Sequence, residues 1–296
     1  MNPGSSKLNP LNAAPVREAT QKVDQTARKP VTIMLGRIGY AAKGVVYMVI
    51  GFLAALAAFG GGGGETTDRK GAVQKIYEQP FGVFLLAAIA FGLACYALWS
   101  FIMAAADTEN KGTKPKGIAT RLVYAGIGVS YLLFAFGAIQ LLTGAGNMGK
   151  NSDASAKDWT AQLLSKPFGV ALVIIAGLVV LGVAGWQFYK AYKAEFKKHL
   201  EMGEMSPQVQ EWLVRFGRFG LAARGVVFGV MGIFLIVAAL KNDPNQAKGL
   251  GGSLNELASQ AYGQVLLGIV AIGLVAYGLY SLGEARYRRM VESTTK

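Results

Sequence analysis

One cysteine, Cys95, and one histidine, His199, are all the thiol and imidazole in this chain of 296 residues. A lone cysteine excludes an internal disulfide. Neither residue has the cluster of partners that a zinc site or a nucleophilic dyad requires. Carboxylates are scarce as well: the 17 Asp and Glu lie in tails, in connections or at their edges, and none falls in the middle of an apolar run. Proton- or sodium-coupled transport usually needs a carboxylate inside the membrane, so this distribution disfavours a coupled transporter. With no Ser–His pair, no paired carboxylates and no clustered metal ligands, the sequence reads as a non-enzymatic protein, with no catalytic residue, metal or cofactor.

Hydrocarbon is what the chain has in abundance. Hydrophobic residues make up 52% and charged residues 16% of it, and charge is missing altogether from 44–64, 79–106, 122–149, 167–189, 225–240 and 257–283. A helix needs roughly 20 mostly apolar residues to cross about 30 Å of bilayer core. Six transmembrane helices are therefore predicted near 38–60, 82–105, 119–143, 168–190, 219–240 and 263–284. The runs show no two-residue alternation and are rich in Ala, Leu and Gly, which argues against strands. Cys95 lies within the second run and reads as a small packing residue.

A net charge of +13 would suggest nucleic acid in a soluble protein, but its placement points elsewhere. Of the 30 Lys and Arg, 22 fall in 1–43, 107–121, 190–224 and 284–296, against 8 in the three intervening connections. Strict alternation with the helices is the positive-inside pattern. It predicts a multi-pass membrane protein with both termini in the cytoplasm, and no nucleic-acid partner. Residues 1–34 lack hydrophobic periodicity and read as a disordered cytoplasmic tail. They do not have the short apolar core and small-residue cleavage site of a secretory signal.

The helices come in three copies of a two-helix unit. Aligning "LGRIGYAAKGVVYMVIGFLAALAAFG" with "ATRLVYAGIGVSYLLFAFGAIQLLTG" and "FGRFGLAARGVVFGVMGIFLIVAAL" pairs Arg37 with Arg121 and Arg218. Gly44, Gly128 and Gly225 then follow at one shared spacing, and Tyr47, Tyr131 and Phe228 at another. In the partner helices "PFG", "PFG" and "AYG" precede the apolar run, and Trp99, Trp186 and Tyr280 stand 17 residues after the glycine. Two crossings per unit make the units parallel, so a pseudo-threefold axis along the membrane normal relates them, unlike the inverted repeats of many transporters.

At helical spacing Arg37, Tyr40, Gly44, Tyr47 and Gly51 share one stripe. Small residues allow close helix approach in lipid, so Gly44, Gly128 and Gly225 are candidates for helix packing. Arg37, Arg121 and Arg218 are candidates for anionic lipid headgroups, with a ring around an anionic ligand as the functional alternative. Lys43 and Arg224 occupy equivalent, deeper positions, where unit two has Ile127. They are expected to snorkel to the interface, the alternative being a buried partner.

Each outer connection carries an apolar residue six before the closing glycine, Ile76, Leu163 and Leu257, which predicts a short amphipathic helix ended by Pro80 and Pro167 in the first two units. "GGGGG" at 60–64 supplies slack. The connector 191–215 is predicted to extend the fourth helix along the interface on Tyr189, Tyr192, Phe196 and Leu200, then to start a helix capped by Ser206 with Pro207 at its first position. His199 reads as solvated among lysines. "GAGNMGKN" at 144–151 fits a phosphate-loop pattern, but a membrane helix precedes it and Asn151 replaces the magnesium-binding hydroxyl, so it reads as a loop.

With its repeats laid out, the chain resembles, from Leu35 to Met290, a bacterial membrane family of unknown function built from three tandem two-helix repeats, domain of unknown function 1206. The most specific stretches are "GRIGYAAKGVVYMVIG", "GRFGLAARGVVFGVMG" and "GLGGSLNELASQAYGQVLLGIVAIGLVAYGLY". Unit two departs by lacking the second basic residue and the small pair beside it. The resemblance implies an integral membrane protein and assigns no activity. The expected architecture is all-α, with repeat 1 over 35–106, repeat 2 over 119–190 and repeat 3 over 216–290. The expected role is a scaffold, lipid-interacting element or accessory subunit, with anionic membrane lipids and a membrane protein as partners. The alternative is a passive channel or uncoupled transporter lined by Ser130, Gln140, Thr143 and Gln187.

Overall fold

A computed structural model describes residues 29–59, 69–106, 115–144 and 152–290. Residues 1–28, "GGGGG" and all of the 144–151 loop after Gly144 and before Ser152 lie outside the described residues. The described residues form nine α-helices and no β-strand: α1 (Pro30–Phe59), α2 (Arg69–Tyr77), α3 (Gly82–Ala106), α4 (Pro115–Leu142), α5 (Ser152–Leu164), α6 (Gly169–Lys193), α7 (Pro207–Leu240), α8 (Leu250–Ser259) and α9 (Gly263–Tyr287). Six of them, α1, α3, α4, α6, α7 and α9, are long and apolar enough to cross a membrane, and α2, α5 and α8 each precede a returning span. The end where α1, α4 and α7 begin is called the basic end below.

The spans begin earlier than their apolar runs. Helix α1 starts at Pro30, inside the stretch expected to be disordered. Helix α7 starts at Pro207, because Ser206 accepts a hydrogen bond from the Val209 amide through its Oγ and proline suits the first turn. The predicted helical extension of α6 does not form. Ala194 turns left-handed at φ 50° and Glu195–His199 is a 3₁₀ turn. Phe196 and Leu200 are buried in the bundle, not laid on the membrane surface. The Phe196 ring packs edge-on to Tyr280 at 5.1 Å and over Gly217, where a Cβ would come within 2.7 Å of it. Leu200 bridges to Arg288, and the Arg289 amide donates to the His199 carbonyl.

The "PFG" motif has a local cause. Phe81 and Phe168 both adopt φ 61°, reversing the chain between the outer helix and the returning span. The next residue then sits so close to the preceding turn that a Cβ on Gly82 or Gly169 would lie 2.3 Å from a carbonyl oxygen.

Packing joins the spans in the order α6, α7, α9, α1, α3, α4. Three of these seams lie between units and share one register. Gly44 of α1 faces Leu282 of α9, Gly128 of α4 faces Phe101 of α3, and Gly225 of α7 faces Phe188 of α6. Leu282, Phe101 and Phe188 each stand 19 residues after the glycine that opens their helix. Farther along, Gly51 meets Ala271 and Val275, while Gly232 meets their counterparts Gly177 and Leu181. Recurrence of the same contacts at each seam is the structural form of the pseudo-threefold repeat.

Two further seams lie within units. Gly39 lets α1 approach Tyr96 of α3 so closely that a Cβ would fall 2.6 Å from its Cα, and Gly220 does the same for Tyr277 of α9 at 2.5 Å. Gly92 on Ala42 and Gly273 on Ala223 repeat the pattern. The corresponding seam in unit two is not packed. Where the others have glycine on tyrosine it has Val123 and Val183, 61% and 42% exposed. Gly126, Gly182 and Gly185 have nothing within 4 Å of where a Cβ would be. Trp99 and Tyr280 are buried, but their counterpart Trp186 is 48% exposed. Helices α4 and α6 are thus the two ends of the row, with an open fork between them.

Each arm of the fork is held by a neighbouring unit. Arg121 on α4 donates from Nε to the Ala104 carbonyl and from Nη2 to that of Ala105 at 3.0 Å, capping the end of α3. On the other arm, Asp153 of α5 accepts from the Gly252 amide at 2.8 Å and from the Gly249 amide, and Ser152 Oγ accepts from the Leu250 amide at 3.2 Å. These bonds satisfy the free amides of α8, so an outer helix of unit two caps one of unit three.

Candidate functional site

The stripe read from sequence is buried. Tyr40, Gly44, Tyr47 and Gly51 all face the interior of the bundle, and the aromatic positions pair across the seams. Tyr47 meets Tyr277 edge-on at 4.8 Å, and Tyr131 meets Tyr96 at 4.6 Å. Lys43 lies among them, 5% exposed, with its Nζ 4.4 Å from the Tyr40 ring centroid. The expectation that Lys43 snorkels is overturned: its ammonium is 3.4 Å from Oε2 of Glu284, itself 4% exposed. Arg288 donates to the other carboxylate oxygen of Glu284, so one buried acid pairs with two cations. A charge buried among Tyr40, Tyr96 and Tyr277 needs a partner where it stands. The tyrosine rings contribute further through their negative faces.

Arg224 is the equivalent cation of unit three and has a different environment. Its guanidinium carbon lies 4.4 Å from the Tyr277 ring centroid, 5.4 Å from Tyr47 and 5.5 Å from Phe228. Its Nε is buried without a hydrogen-bond partner, and among the described residues no carboxylate pairs with it as Glu284 pairs with Lys43.

The three arginine candidates at the basic end are not brought together around one centre. Arg37 and Arg218 are exposed, and Arg121 is committed to the α3 carbonyls. Arg218 lines a shallow cleft of about 500 Å³ with Ala191, Tyr192 and Lys193 at the basic end. The polar candidates for a pathway are dispersed too. Ser130 is exposed, Gln140 half-buried, and Thr143 Oγ1 donates to its own helix at the Ile139 and Gln140 carbonyls. Gln187 is buried. Between Lys43, Val46, Tyr47, Leu93, Tyr131 and Phe134 the remaining space is too small for a water molecule.

Sequence reasoning missed Glu284, Tyr96 and Tyr277, and it missed the fork. A signal existed for Glu284. Glu284 stands 21 residues after Gly263, where the other units have Met103 and Lys190. Extending the alignment to positions facing Lys43, Ile127 and Arg224 would have paired ion with ion, apolar with apolar, and cation with cation. Among the described residues no group of His, Cys, Asp and Glu is arranged to hold a metal ion.

Three tandem stretches of the chain, 38–107, 122–194 and 219–288, match the family described as Domain of Unknown Function (DUF1206). The uncharacterized protein YxxB of Bacillus subtilis (strain 168) is 34% identical over 262 residues, which cover 88% of this chain and 93% of that protein. No solved structure matches the chain. The family stretches coincide with the three pairs of spans, and the chain belongs to the DUF1206 family as an all-α, multi-pass membrane protein carrying three copies of its two-helix unit.

Proposed function

We propose that the protein is a non-enzymatic holder of a membrane component in a bacterial inner membrane, with both chain termini in the cytoplasm. The observation that carries this reading is the contrast between a core packed with side chains around Lys43 and an open, apolar fork in unit two. A passive conduit along the pseudo-threefold axis would need polar, water-sized space, and the space at the Lys43 level is smaller than that. The fork offers the opposite: valines and glycines in a lateral opening that hydrocarbon can enter. The orientation rests on the 22 basic residues at one end against 8 at the other.

Reconstitution tests the two roles together. Proteoliposomes are expected to pass glycerol, amino acids and small ions no faster than protein-free vesicles. A photoreactive residue at Val183 is expected to capture a membrane component that one at Leu178, on the outer surface of the same helix, does not. Solute flux that depends on Ser130, Gln140 or Gln187, with no selective capture at Val183, would replace the holder with a channel.

A further inference from the structure

We propose that the cleft between α6 and α7 at the basic end binds the phosphate of an anionic lipid headgroup, with Arg218 and Lys193 as the groups that hold it. The site is separate from the fork and does not depend on it. Because the between-unit seams share one register, their basic ends can be compared residue by residue. At the α4 seam Arg121 donates to the carbonyls of Ala104 and Ala105, 22 and 23 residues after Gly82. Counted in the same way from Gly169, the equivalents are Ala191 and Tyr192. These two residues line the cleft with Arg218, the equivalent of Arg121. The same arginine thus faces the same helical turn, but here they enclose about 500 Å³ of open space.

At the α1 seam the chain that follows α9 supplies a cover. Met290 is buried there, its sulfur 3.3 Å from where a Cβ would stand on Gly36, the neighbour of Arg37. The α7 seam is left open for a local reason. Ala194 turns left-handed at φ 50° directly after Lys193, and Phe196 goes inward over Gly217, the neighbour of Arg218. The last turn of α6 therefore ends at the surface, with Tyr192 78% exposed.

Charge selects the ligand. Lys193 holds its ammonium 5.6 Å from the Tyr192 ring centroid, and among the described residues no carboxylate pairs with it or with Arg218. The acids near them in sequence are engaged elsewhere: Glu195 is 3.9 Å from Lys198, and Glu211 accepts from Arg215. A guanidinium donates in a fixed fork and an ammonium adds a point charge, a combination suited to phosphate oxygens. Position selects the source. The cleft lies at the end of two membrane spans, with Tyr192 in its wall and Tyr189 exposed one turn away, and tyrosines at such ends sit at headgroup level. Lipid presents phosphate there while its acyl chains stay in the surrounding bilayer.

The test uses the full chain with equimolar phosphatidylglycerol and phosphatidylcholine, retained lipid being counted by native mass spectrometry. Phosphatidylglycerol is expected to be retained preferentially. Arg218→Gln combined with Lys193→Gln is expected to lower that preference about tenfold, with an unchanged melting temperature because both side chains are exposed. Arg286→Gln combined with Arg289→Gln removes two exposed cations from the end of α9 and is expected to leave the preference intact. No loss in the first double variant, or equal loss in both, would overturn the site. Equal retention of the two lipids by the wild type would overturn the anionic headgroup. Inorganic phosphate, followed by phosphorus NMR in detergent, separates the sources: binding that requires Arg218 and Lys193, without any lipid preference, would assign the cleft to a soluble phosphate and overturn the lipid. Capture at Val183 reports on the fork alone, so the two readings fail separately.

Discussion

At the residue scale the structure turns on how three equivalent positions deal with charge. Lys43, Ile127 and Arg224 occupy the same place in three helices, and among the described residues only the first has a carboxylate partner. Removing one member of a buried pair leaves the other uncompensated, so Glu284→Gln is expected to destabilise the protein by about 3 kcal/mol or more, read as a loss of thermal stability in detergent. Replacing both members, Lys43→Met with Glu284→Leu, is expected to recover most of that loss. A double-variant cycle that showed no coupling would contradict the pairing. Outside the spans, hydrogen bonds from Gln246 and from Asn245 hold the Asp243 carboxyl below the usual range. A depressed carboxyl pKa stabilises the fold above its unfolded value and loses that contribution as pH falls through the folded one. Protection of the Asn245 amide, measured against its intrinsic exchange rate, is therefore expected to fall on acidification below the folded pKa of Asp243, and a pH-independent protection would contradict it.

At the scale of elements, the fork follows from a few substitutions within an otherwise faithful repeat. Glycine at 39 and 220 admits a tyrosine backbone at 2.6 and 2.5 Å, and no side chain fits in that space. Gly39→Val is accordingly expected to separate α1 from α3 as Val123 and Val183 separate α4 from α6. The reverse graft, Val123→Gly with Val183→Tyr, is expected to draw α4 toward α6, read as a shorter distance between spin labels on the two helices. The cap across units is a second device. Asp153→Ala leaves the Gly249 and Gly252 amides without their acceptor and is expected to cost about 1–2 kcal/mol, with faster amide exchange at the start of α8.

The same comparison shows what was legible in the sequence. The six spans, the parallel units and the buried glycine–aromatic stripe follow from hydropathy and internal alignment, because lipid imposes length and closeness of packing on each helix separately. The partner of Lys43 was not legible from α1, since it comes from a helix 241 residues away in sequence. The course of 194–200 was missed for a related reason. Its apolar residues have helical spacing, but Gly217 and Tyr280 offer Phe196 a better burial site than the interface does. That unit two departs from its siblings was visible, whereas the opening of its seam depended on knowing which face of α4 meets which face of α6.

At the scale of the whole molecule, five packed seams and one open one make a bundle that is symmetric in its repeats and asymmetric in its surface. The share of the span buried within the chain falls from 61% for α9 to 22% for α6, so the two sides of the bundle present different surfaces to lipid. The measurement that tests this account most directly places spin labels on outward-facing, repeat-equivalent positions of the two spans in each unit: Phe52 with Phe91, Phe136 with Leu178, and Ile233 with Ile272, all exposed. In lipid nanodiscs the first and third pairs are expected to give matching distances, as befits packed neighbours about 8–10 Å apart at their axes, and the second pair a clearly longer one. Three equal distances would mean that unit two closes like its siblings, and the fork, with the function assigned to it, would be wrong.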